Sequence, residues 1–586
     1  MKHSKIPLSQ TVVTLCKIHN IKHIVISPGS RNAPLTIGFT HDDFFSCYSI
    51  VDERCAAFFA LGIAQQTQEP AAVVCTSGSA LLNYYPAIAE AFYSHIPVVV
   101  LSADRPKRFI GIGDGQTINQ KNVYGEHVLY SANLKLDIDT EDKANSKDDL
   151  PIFKNLENKL ERFIGIQKDI QSYNESELHD ALTISGLRSG PVHINIPFDE
   201  PLYETVEELS ISPKPYKLQN KREKVEEFEI ESLLDIWHNA KRKMILVGVL
   251  APNSIEEKWL EELADDDSVI VFTETTSNIR YKDIFPGIDK IIAPLEEEEF
   301  ESLQPEILMT FGGLIVSKKI KAFLRTYKPE HHWHIGLQPA NDTFFCLEKY
   351  FPLRPNTFFE AFLPQVTHHK KSNYKAYWLS VKAHRRKKHQ EYLATVPFSD
   401  FKVFQTTLQS LPEESQLQVG NSSAIRYTQL FKLPKRVNVF CNRGTSGIDG
   451  STSTAIGAAV AAEKRTTFIT GDLSFFYDSN ALWNNYIPKN FRIILVNNNG
   501  GGIFRILPGH KNTENFDTYF ETKHQLTAEQ LCKMFNFEYI KVEDETELQN
   551  KLQSFYDSTA QPRLMEIFTP SQINDEVLLN YFKYIK

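Results

Sequence analysis

Polar residues follow an apolar run in the stretch ILVNNNGGGIF, residues 494–504. Asparagine offers a neutral oxygen ligand, and glycine allows the backbone to approach a ligand closely. A second apolar run, residues 466–470, leads to Gly471 and to Asp472, which lies 26 residues before Asn498 (498 − 472). If both runs are neighbouring parallel strands, Asp472 and Asn498 meet at the ligand-binding edge of an open α/β sheet. We also predict a helix that begins about three residues after the first of these strands.

This edge could hold a cation and a phosphate. A carboxylate, an amide oxygen and a backbone carbonyl from the glycine turn would form an oxygen-only site. Magnesium occupies such sites when phosphate oxygens complete its coordination. Helix N-termini and glycine-rich amides nearby would carry the phosphate charge.

Each of these features has an ordinary explanation when it is taken alone. An aspartate after a strand is usually a helix cap, and Asn-Gly sequences are usually turns. Together, Gly-Asp followed by Asn-Asn at this separation resembles the signature of thiamine diphosphate enzymes of the decarboxylase and carboligase superfamily. The resemblance implies thiamine diphosphate and Mg²⁺ as cofactors, with Mn²⁺ as a substitute. It also implies metal ligands at Asp472, Asn498 and the carbonyl of Gly500, while Leu473 stands where many relatives have a further glycine.

An acidic pair stands at the start of an apolar helix in YSIVDERCAAFFALGIA, residues 48–64. Taken alone, Asp52 and Glu53 are first-turn acids favoured by the helix dipole. The resemblance to the thiamine enzymes implies that Glu53 hydrogen-bonds the aminopyrimidine ring and activates the cofactor. It further implies a homodimer, or a dimer of dimers, with sites between subunits.

Several arginines lie in loops that follow predicted strands. Guanidinium groups bind carboxylates with two parallel hydrogen bonds, which suits substrates that carry several carboxylates. A single arginine of this kind is usually a surface or ion-pair residue, but four at strand ends indicate anionic substrates. The residues concerned are Ser30 and Arg31 in SPGSR, Arg105 in ADRP, Ser422 and Arg426 in GNSSAIR, and Arg443 in NRGTSGIDG.

These stretches, with GDLSFFYDSNAL and VNNNGGGIF, resemble the 2-succinyl-5-enolpyruvyl-6-hydroxy-3-cyclohexene-1-carboxylate (SEPHCHC) synthases of menaquinone biosynthesis. The resemblance is strong in the first and third parts of the chain. In the middle part it depends mainly on GGLIVSKKIKAFL, residues 312–324. It implies a transferase that decarboxylates 2-oxoglutarate and adds the resulting succinyl-semialdehyde carbanion equivalent to isochorismate by conjugate addition.

The same resemblance implies roles for individual residues. Ile448 supports the bent cofactor, and Ile503 and Phe504 line the pocket. Arg426, Arg443 and Ser422 face the group derived from 2-oxoglutarate, and Ser422 also lies at the cofactor. The residues implied to bind isochorismate are Ser30, Arg31, Arg105, Gln116, Lys318 and Lys319, the last standing where the family commonly has arginine.

Two other functions remain open at this point. Another thiamine carboligase or decarboxylase, such as an acetohydroxyacid synthase, is disfavoured by Arg426 and Arg443, because pyruvate has no distal carboxylate. A non-catalytic relative is disfavoured because both Glu53 and Asp472 are present. The middle part has no G-x-G-x-x-G sequence and gives no sign of FAD.

The bulk composition indicates a globular protein of several domains. The 586 residues exceed what one hydrophobic core supports, and the net charge of −9 disfavours a general nucleic-acid binder. Seven dispersed cysteines without a Cys-x-x-Cys pair predict a reducing compartment without disulfides. The N-terminus lacks the apolar region of a signal peptide, and no apolar run approaches the ~20 residues of a membrane span. We therefore expect a cytoplasmic protein.

Apolar runs that alternate with helical patterns predict three consecutive α/β domains, each with a mainly parallel sheet flanked by helices. We place a pyrimidine-binding domain at residues 1–199, a linker and central domain at 200–395, and a diphosphate- and magnesium-binding domain at 396–586. We expect the basic run 367–389 to be a solvated helix or connector, and the histidines of HHWH, residues 331–334, to be structural rather than metal ligands.

Overall fold

The computed structural model describes residues 2–137, 154–214, 227–368, 370–506 and 513–586. These residues form two compact units. The first unit contains the described residues up to 214 together with Ser453–Glu463 and Asn480–Ile487. The second unit contains residues 227–452, Lys464–Ser479 and the described part of Pro488–Lys586. Part of the predicted linker, residues 215–226, lies outside the described residues.

The first unit is built on a six-stranded parallel sheet. Its strands lie in the order β3 (Ser46–Ser49), β2 (His23–Ile26), β4 (Ala71–Cys75), β5 (Val98–Asp104), β7 (Val192–Pro197) and β6 (Tyr130–Asn133). A short antiparallel ribbon joins β1 (His3–Ser4) to β8 (Thr205–Val206). All residues of β4 and β5 are buried, as expected for central parallel strands covered on both faces.

Helices surround this sheet. They are α1 (Pro7–Ile18), α2 (Ala33–Thr40), α3 (Glu53–Thr67), α4 (Ala80–Asn83), α5 (Tyr85–Ser94) and α6 (Lys154–Arg188). Helices α4 and α5 follow one another almost directly, and Pro86 stands in the first turn of α5.

A glycine contact brings α3 close to α16 (Ser451–Ala461). A Cβ atom on Gly457 would lie 2.0 Å from the carbonyl oxygen of Phe59, and one on Gly62 would lie 2.1 Å from that of Thr454. Both helices thus touch through backbone, and only glycine permits this separation. This packing fixes the helix that begins at Glu53.

The second unit carries two further six-stranded parallel sheets. The first has the order β11 (Phe285–Pro286), β10 (Val269–Thr273), β9 (Lys243–Val247), β12 (Ile307–Phe311), β13 (His331–Ile335) and β14 (Lys349–Phe351). The second has the order β16 (Asn438–Phe440), β15 (Gln416–Val419), β17 (Thr466–Gly471), β18 (Arg492–Asn497), β20 (Arg563–Phe568) and β19 (Glu538–Val542). Three parallel α/β sheets confirm the predicted fold class, while the three domain boundaries remain predictions.

The helices of the second unit flank its two sheets. Around the first are α7 (Glu227–Asn239), α8 (Glu257–Asp265), α9 (Ile288–Ile292), α10 (Glu297–Leu303), α11 (Lys318–Thr326), α12 (Pro355–Phe362) and α13 (Tyr374–Leu393). Around the second are α14 (Asp400–Gln409), α15 (Ser423–Thr428), α17 (Asp472–Tyr477), α18 (Glu529–Met534), α19 (Glu545–Phe555) and α20 (Asn574–Tyr584).

The basic run forms α13, as predicted, but one face of this helix is not solvated. Trp378, Arg385 and His389 are buried, and Nδ1 of His389 lies 2.8 Å from the hydroxyl of Tyr581. His369 lies outside the described residues. In the described ranges, no helix has the length and apolar character needed to cross a bilayer. The seven cysteines, all of which lie in the described ranges, form no disulfide.

Candidate active site

Two adjacent strands of the second unit bring Asp472 and Asn498 to one sheet edge. Strands β17 and β18 pair in parallel, with Gly471 opposite Val496. The next residues of each strand therefore emerge on the same side, as the sequence predicts. Helix α17 begins at Asp472 itself and not three residues later, so that expectation was wrong: extended Gly471 leads directly into the helix.

The carboxylate of Asp472 is held by backbone donors. It is 3% exposed, and its Oδ1 accepts a hydrogen bond from the N–H of Leu473 at 2.7 Å. Its Oδ2 accepts from the N–H of Gly500 at 3.0 Å and lies 3.3 Å from Nε2 of His524. Because Nδ1 of His524 accepts from the N–H of Leu526, Nε2 carries the ring proton and faces the carboxylate. No motif in the sequence indicated this histidine.

Asn498 presents an oxygen that has no protein partner. Its Nδ2 donates to Oδ2 of buried Asp400 at 2.8 Å, while its Oδ1 is buried without a hydrogen bond. Leaving an acceptor buried and unpaired costs stability, unless a cation or another donor completes the site. Gly500 has a φ of 149°, a positive backbone angle that favours glycine. A Cβ at this position would lie 2.6 Å from the carbonyl oxygen of Glu521. These oxygens match the hard ligands that magnesium prefers.

Three apolar residues predicted to contact the cofactor lie in short segments of this unit. The hydroxyl of Ser474 donates to the carbonyl of Ile448 at 2.7 Å, which ties the turn at Ile448 to α17. The side chain of Ile448 is 37% exposed. Ile503 and Phe504 lie in a single 3₁₀ turn, Gly502–Arg505, and are half-buried. The ring of Phe504 packs on that of Phe520 at 6.0 Å.

The second unit also collects cationic side chains. Nη1 of Arg443 donates to Oδ1 of Asn421 at 2.8 Å, and the Nε atoms of Arg443 and Arg426 are buried without partners. Burial lowers the pKa of Arg426, and the nearby charge of Arg443 lowers it further. Ser422, which precedes α15, has φ 64 and ψ −124, a strained conformation of the kind found at ligand sites.

The predicted lysines lie in the first turn of α11, which is anchored by a buried acid. Lys318 and Lys319 are exposed. The carboxylate of Glu274 accepts from the N–H groups of Val316 and Ser317, each at 2.7 Å, and its burial raises its pKa to about 6. Nε2 of Gln429 also donates to Glu274 at 3.3 Å. This acid therefore holds the turn that carries the lysines.

Lys321 is a cation of this helix that the sequence analysis missed. Its pKa is lowered chiefly by burial, while Glu274 raises it and Arg443 lowers it again. Its position, one helical turn beyond Lys318, could have indicated a shared face.

The first unit positions the predicted acceptor-binding arginines. Arg31 is 6% exposed: its Nη1 donates to the carbonyl of Phe198 at 3.1 Å, and its Nη2 lies 3.1 Å from Oε1 of Glu200. Burial lowers the pKa of Arg31, and Arg105 lowers it further, so both guanidinium groups lie in one electrostatic neighbourhood.

The loop that carries Gln116 is held by Arg105, whose Nε donates to the carbonyl of Gly115 at 3.0 Å. Gln116 is exposed and has φ 53. Ser30 is also exposed. The structure thus brings the Gln116 loop to Arg105 and leaves the side chains of Gln116 and Ser30 accessible.

Glu53 is the first residue of α3, but the cap of this helix is its neighbour. Oδ1 of Asp52 accepts from the N–H of Cys55 at 3.2 Å, so capping is performed by Asp52. Oε2 of Glu53 accepts from Nδ2 of Asn83 at 3.2 Å. Its carboxylate is half-buried, and Val51 and Leu82, which flank these two residues in the sequence, are exposed apolar side chains.

Two histidines of the HHWH sequence contact one hydroxyl group. Strand β13 carries them, and the hydroxyl of Thr310 lies 3.0 Å from Nε2 of His332 and 2.8 Å from Nδ1 of His334. Among the residues that the structure describes, no cluster of three His, Cys, Asp or Glu side chains could hold a metal.

Comparisons with known proteins match the whole chain. Three family models cover it in order: "Thiamine pyrophosphate enzyme, N-terminal TPP binding domain" at residues 6–123, "Middle domain of thiamine pyrophosphate" at 201–419, and "Thiamine pyrophosphate enzyme, C-terminal TPP binding domain" at 418–567. The chain is 55% identical over 591 residues to a protein of Christiangramia forsetii named 2-succinyl-5-enolpyruvyl-6-hydroxy-3-cyclohexene-1-carboxylate synthase, with 100% of both chains covered. Proteins of the same name from Flavobacterium psychrophilum and Flavobacterium johnsoniae are each 54% identical, again over 100% of both chains.

Proposed function

The chain belongs to the family of 2-succinyl-5-enolpyruvyl-6-hydroxy-3-cyclohexene-1-carboxylate synthases among the thiamine pyrophosphate enzymes, and we propose that it catalyses the reaction of that name. The donor is 2-oxoglutarate, which loses carbon dioxide. The remaining four-carbon succinyl-semialdehyde carbanion equivalent forms a carbon–carbon bond with isochorismate by conjugate addition. The enolpyruvyl group stays on the product.

The observation that carries the proposal is the pair Arg426 and Arg443. Both guanidinium groups have a buried Nε without a protein partner, and the pKa of Arg426 is lowered by burial and by the charge of Arg443, which acts only at close range. Such a pair suits a dicarboxylate donor, since a guanidinium binds a carboxylate through parallel hydrogen bonds. Pyruvate, the donor of acetohydroxyacid synthases, has no distal carboxylate to occupy it.

Magnesium and the cofactor diphosphate belong at the sheet edge of the second unit. Asp472, the amide oxygen of Asn498 and the carbonyl of Gly500 would hold Mg²⁺, for which Mn²⁺ could substitute. The buried, unpaired Oδ1 of Asn498 supports this assignment. Ser422 and Ile448 would contact the cofactor, and Ile503 and Phe504 would exclude water from the pocket.

Bound thiamine diphosphate supplies the nucleophilic carbon and the electron sink for decarboxylation. Glu53 would hold a proton at the aminopyrimidine ring through its carboxylate. That carboxylate does not cap α3, because Asp52 caps the helix. Arg426, Arg443 and Ser422 would bind the donor. The proposed acceptor-binding residues are Ser30, Arg31, Arg105, Gln116, Lys318 and Lys319.

We also propose a homodimer, or a dimer of dimers, in which two copies complete each active site. The helices after Glu53 support this assembly, because Leu82, Tyr85 and Tyr93 on α4 and α5 are 44%, 37% and 43% exposed. Exposed aromatic and apolar side chains on consecutive helices are typical of a protein interface. Sedimentation of the purified chain tests the assembly. Its place in the cytoplasm remains a prediction of the sequence.

The proposed activity is tested with the purified chain, thiamine diphosphate and Mg²⁺. Addition of 2-oxoglutarate and isochorismate should release carbon dioxide and consume isochorismate in equal amounts, without free pyruvate. Replacement of 2-oxoglutarate by pyruvate should reduce the rate strongly. Equal rates with pyruvate would favour an acetohydroxyacid synthase type of enzyme instead.

A further inference from the structure

The amide of Asn498 must be oriented before it can bind a cation. An amide has a donor end and an acceptor end of nearly the same shape, and only the oxygen can ligate a metal. A carboxylate accepts hydrogen bonds but donates none, so a carboxylate beside the amide selects the NH₂ end. Oδ2 of Asp400 lies 2.8 Å from Nδ2 of Asn498 and makes this selection.

We propose that Asp400 is a positioning residue, which fixes the Asn498 amide so that Oδ1 faces the metal. The proposal rests on the magnesium site of the proposed function. It assigns to the metal centre a side chain 98 residues distant in sequence from Asn498, at the first residue of α14.

Asp400 is itself held rigidly. It is 3% exposed, its Oδ1 accepts from the hydroxyl of Thr569 at 2.6 Å, and its N–H donates to Oδ1 of Asn574 at 2.9 Å. These contacts come from the end of β20 and the start of α20. Because both carboxylate oxygens are engaged, the side chain has one orientation, and so does the amide that it binds.

Burial of this acid is costly and is not offset by a cation. Within the described ranges, Asp400 forms no ion pair, although it is 3% exposed. A buried carboxyl without a basic partner reduces stability relative to a well-packed apolar group. Its place in the first turn of a helix offers some compensation, and this structural role is the competing explanation.

The neighbouring asparagine shows why Asn498 is distinct. Asn497 also has its Nδ2 bound by a buried acid, Glu566, at 2.8 Å. However, its Oδ1 accepts from the N–H of Asn499 at 3.1 Å, so both ends of this amide are satisfied by protein. In Asn498 only the donor end is satisfied, and the oriented oxygen is available for a ligand.

The test measures Mn²⁺ affinity of the full chain by electron paramagnetic resonance of the free ion, with thiamine diphosphate present. Asp400→Ala should weaken Mn²⁺ binding by at least tenfold, in the range found when partners of metal ligands are removed. Asp400→Asn retains an acceptor oxygen but adds a donor end, so its loss of Mn²⁺ affinity should be clearly smaller than that of Asp400→Ala. Equal losses in both variants would overturn the proposal, since charge rather than amide orientation would then matter.

A double-mutant cycle separates positioning from a general loss of stability. Once Asn498→Ala has removed the amide, Asp400→Ala should weaken Mn²⁺ binding no further; additive losses would refute the proposal. The control is Asp544→Ala, because Asp544 also starts a helix of this unit and caps it at the N–H of Glu547. This variant should leave Mn²⁺ affinity unchanged, and a loss as large as that of Asp400→Ala would favour the structural explanation.

Two further variants keep the result interpretable. If Asp400→Ala does not fold, Asp400→Leu, which has a branched side chain of similar shape but no acceptor, should show the same tenfold loss, and wild-type affinity in it would overturn the proposal. Asp472→Ala should abolish tight Mn²⁺ binding. If Asp472→Ala still binds Mn²⁺ tightly, the assignment of the metal site is wrong. If Asp472→Ala loses binding while Asp400→Ala binds Mn²⁺ normally, only the role of Asp400 is wrong.

Discussion

Replacement of Arg443 by alanine should affect the donor substrate much more than the acceptor. Arg443 has one nitrogen bound to Asn421 at 2.8 Å and a buried Nε without a partner, so part of its donor capacity remains for a ligand. A hydrogen bond to a charged group contributes about 1.5–3 kcal/mol. Its removal should therefore weaken apparent 2-oxoglutarate affinity by roughly ten- to a hundredfold. Because Arg426 remains nearby, we expect a value toward the lower end.

The reciprocal variant is Arg31→Ala. Arg31 belongs to the first unit and lies in the electrostatic neighbourhood of Arg105. Its loss should weaken apparent isochorismate affinity by a similar factor and affect 2-oxoglutarate less. Because Arg31 is 6% exposed and pairs with Glu200, thermal unfolding must first show that the variant is folded.

The assay is a pair of saturation curves for each variant, with the other substrate in excess. Arg436→Ala and Arg108→Ala are matched controls, since these arginines form exposed ion pairs with Glu414 and Asp199 in the same two units. Exposed pairs contribute little, so both controls should retain wild-type constants. If Arg443→Ala and Arg31→Ala shift both substrates equally, the arginines set the overall charge of the cleft and the residue-level division is refuted.

The remaining predictions concern the cofactor, the helix contact and the buried acid. Glu53→Gln should bind thiamine diphosphate but lose more than about tenfold of its carbon dioxide release, because a neutral amide cannot exchange the ring proton; a smaller loss contradicts the activator role. Gly457→Ala should lower the free energy of unfolding, measured in urea, by about 2 kcal/mol, because the new Cβ would lie 2.0 Å from the carbonyl oxygen of Phe59. This steric clash outweighs the roughly 1 kcal/mol that alanine gains over glycine in helix propensity. Gly186→Ala, whose Cβ would meet only Pro70 at 3.9 Å, should instead stabilise, and equal behaviour of both variants would contradict this account. Burial raises the pKa of Glu274 from 4.5 to about 6, so the folded state binds this proton more strongly than the unfolded state. As pH rises from about 3.5 to about 7, through the pKa values of both states, the free energy of unfolding should therefore fall by about 2 kcal/mol relative to Glu274→Gln; a pH-independent difference in urea midpoints would contradict it.

The sequence determined the central strands and the family. Runs such as AAVVC and VIVFT are continuous and apolar because both faces of a central parallel strand are covered. The strands that the sequence analysis missed are the two-residue strands β1 and β8 of the ribbon and β6, β11, β14 and β19, each of which lies at the edge of its six-stranded sheet. Edge strands are short and carry polar residues, so their pattern does not differ clearly from that of a loop.

The residues predicted from motifs also lie where strands end. Each motif is a short continuous stretch of sequence, and the strand, turn and helix that carry it follow one another directly in the chain. Asp472 and Asn498 were therefore predictable, since adjacent parallel strands bring their ends to one edge. Other features of the site depend on the conformations of loops. The capping role of Asp52 and the αL conformation of Gln116 depend on backbone geometry that residue types alone do not specify.

Only the tertiary structure decided which distant side chains support the site. Asp400, Glu274 and His524 carry no motif, and each meets a partner that is distant in sequence. Asp400 and Asn498 are 98 residues apart, Glu274 and Val316 are 42 apart, and His524 and Asp472 are 52 apart (524 − 472). A lone aspartate or glutamate in a sequence is usually a solvated residue. Asp400 and Glu274 become functional candidates only because packing buries them against the turns that carry Asn498 and the lysines. In a buried site, a carboxylate strongly influences the orientation of the groups that it binds.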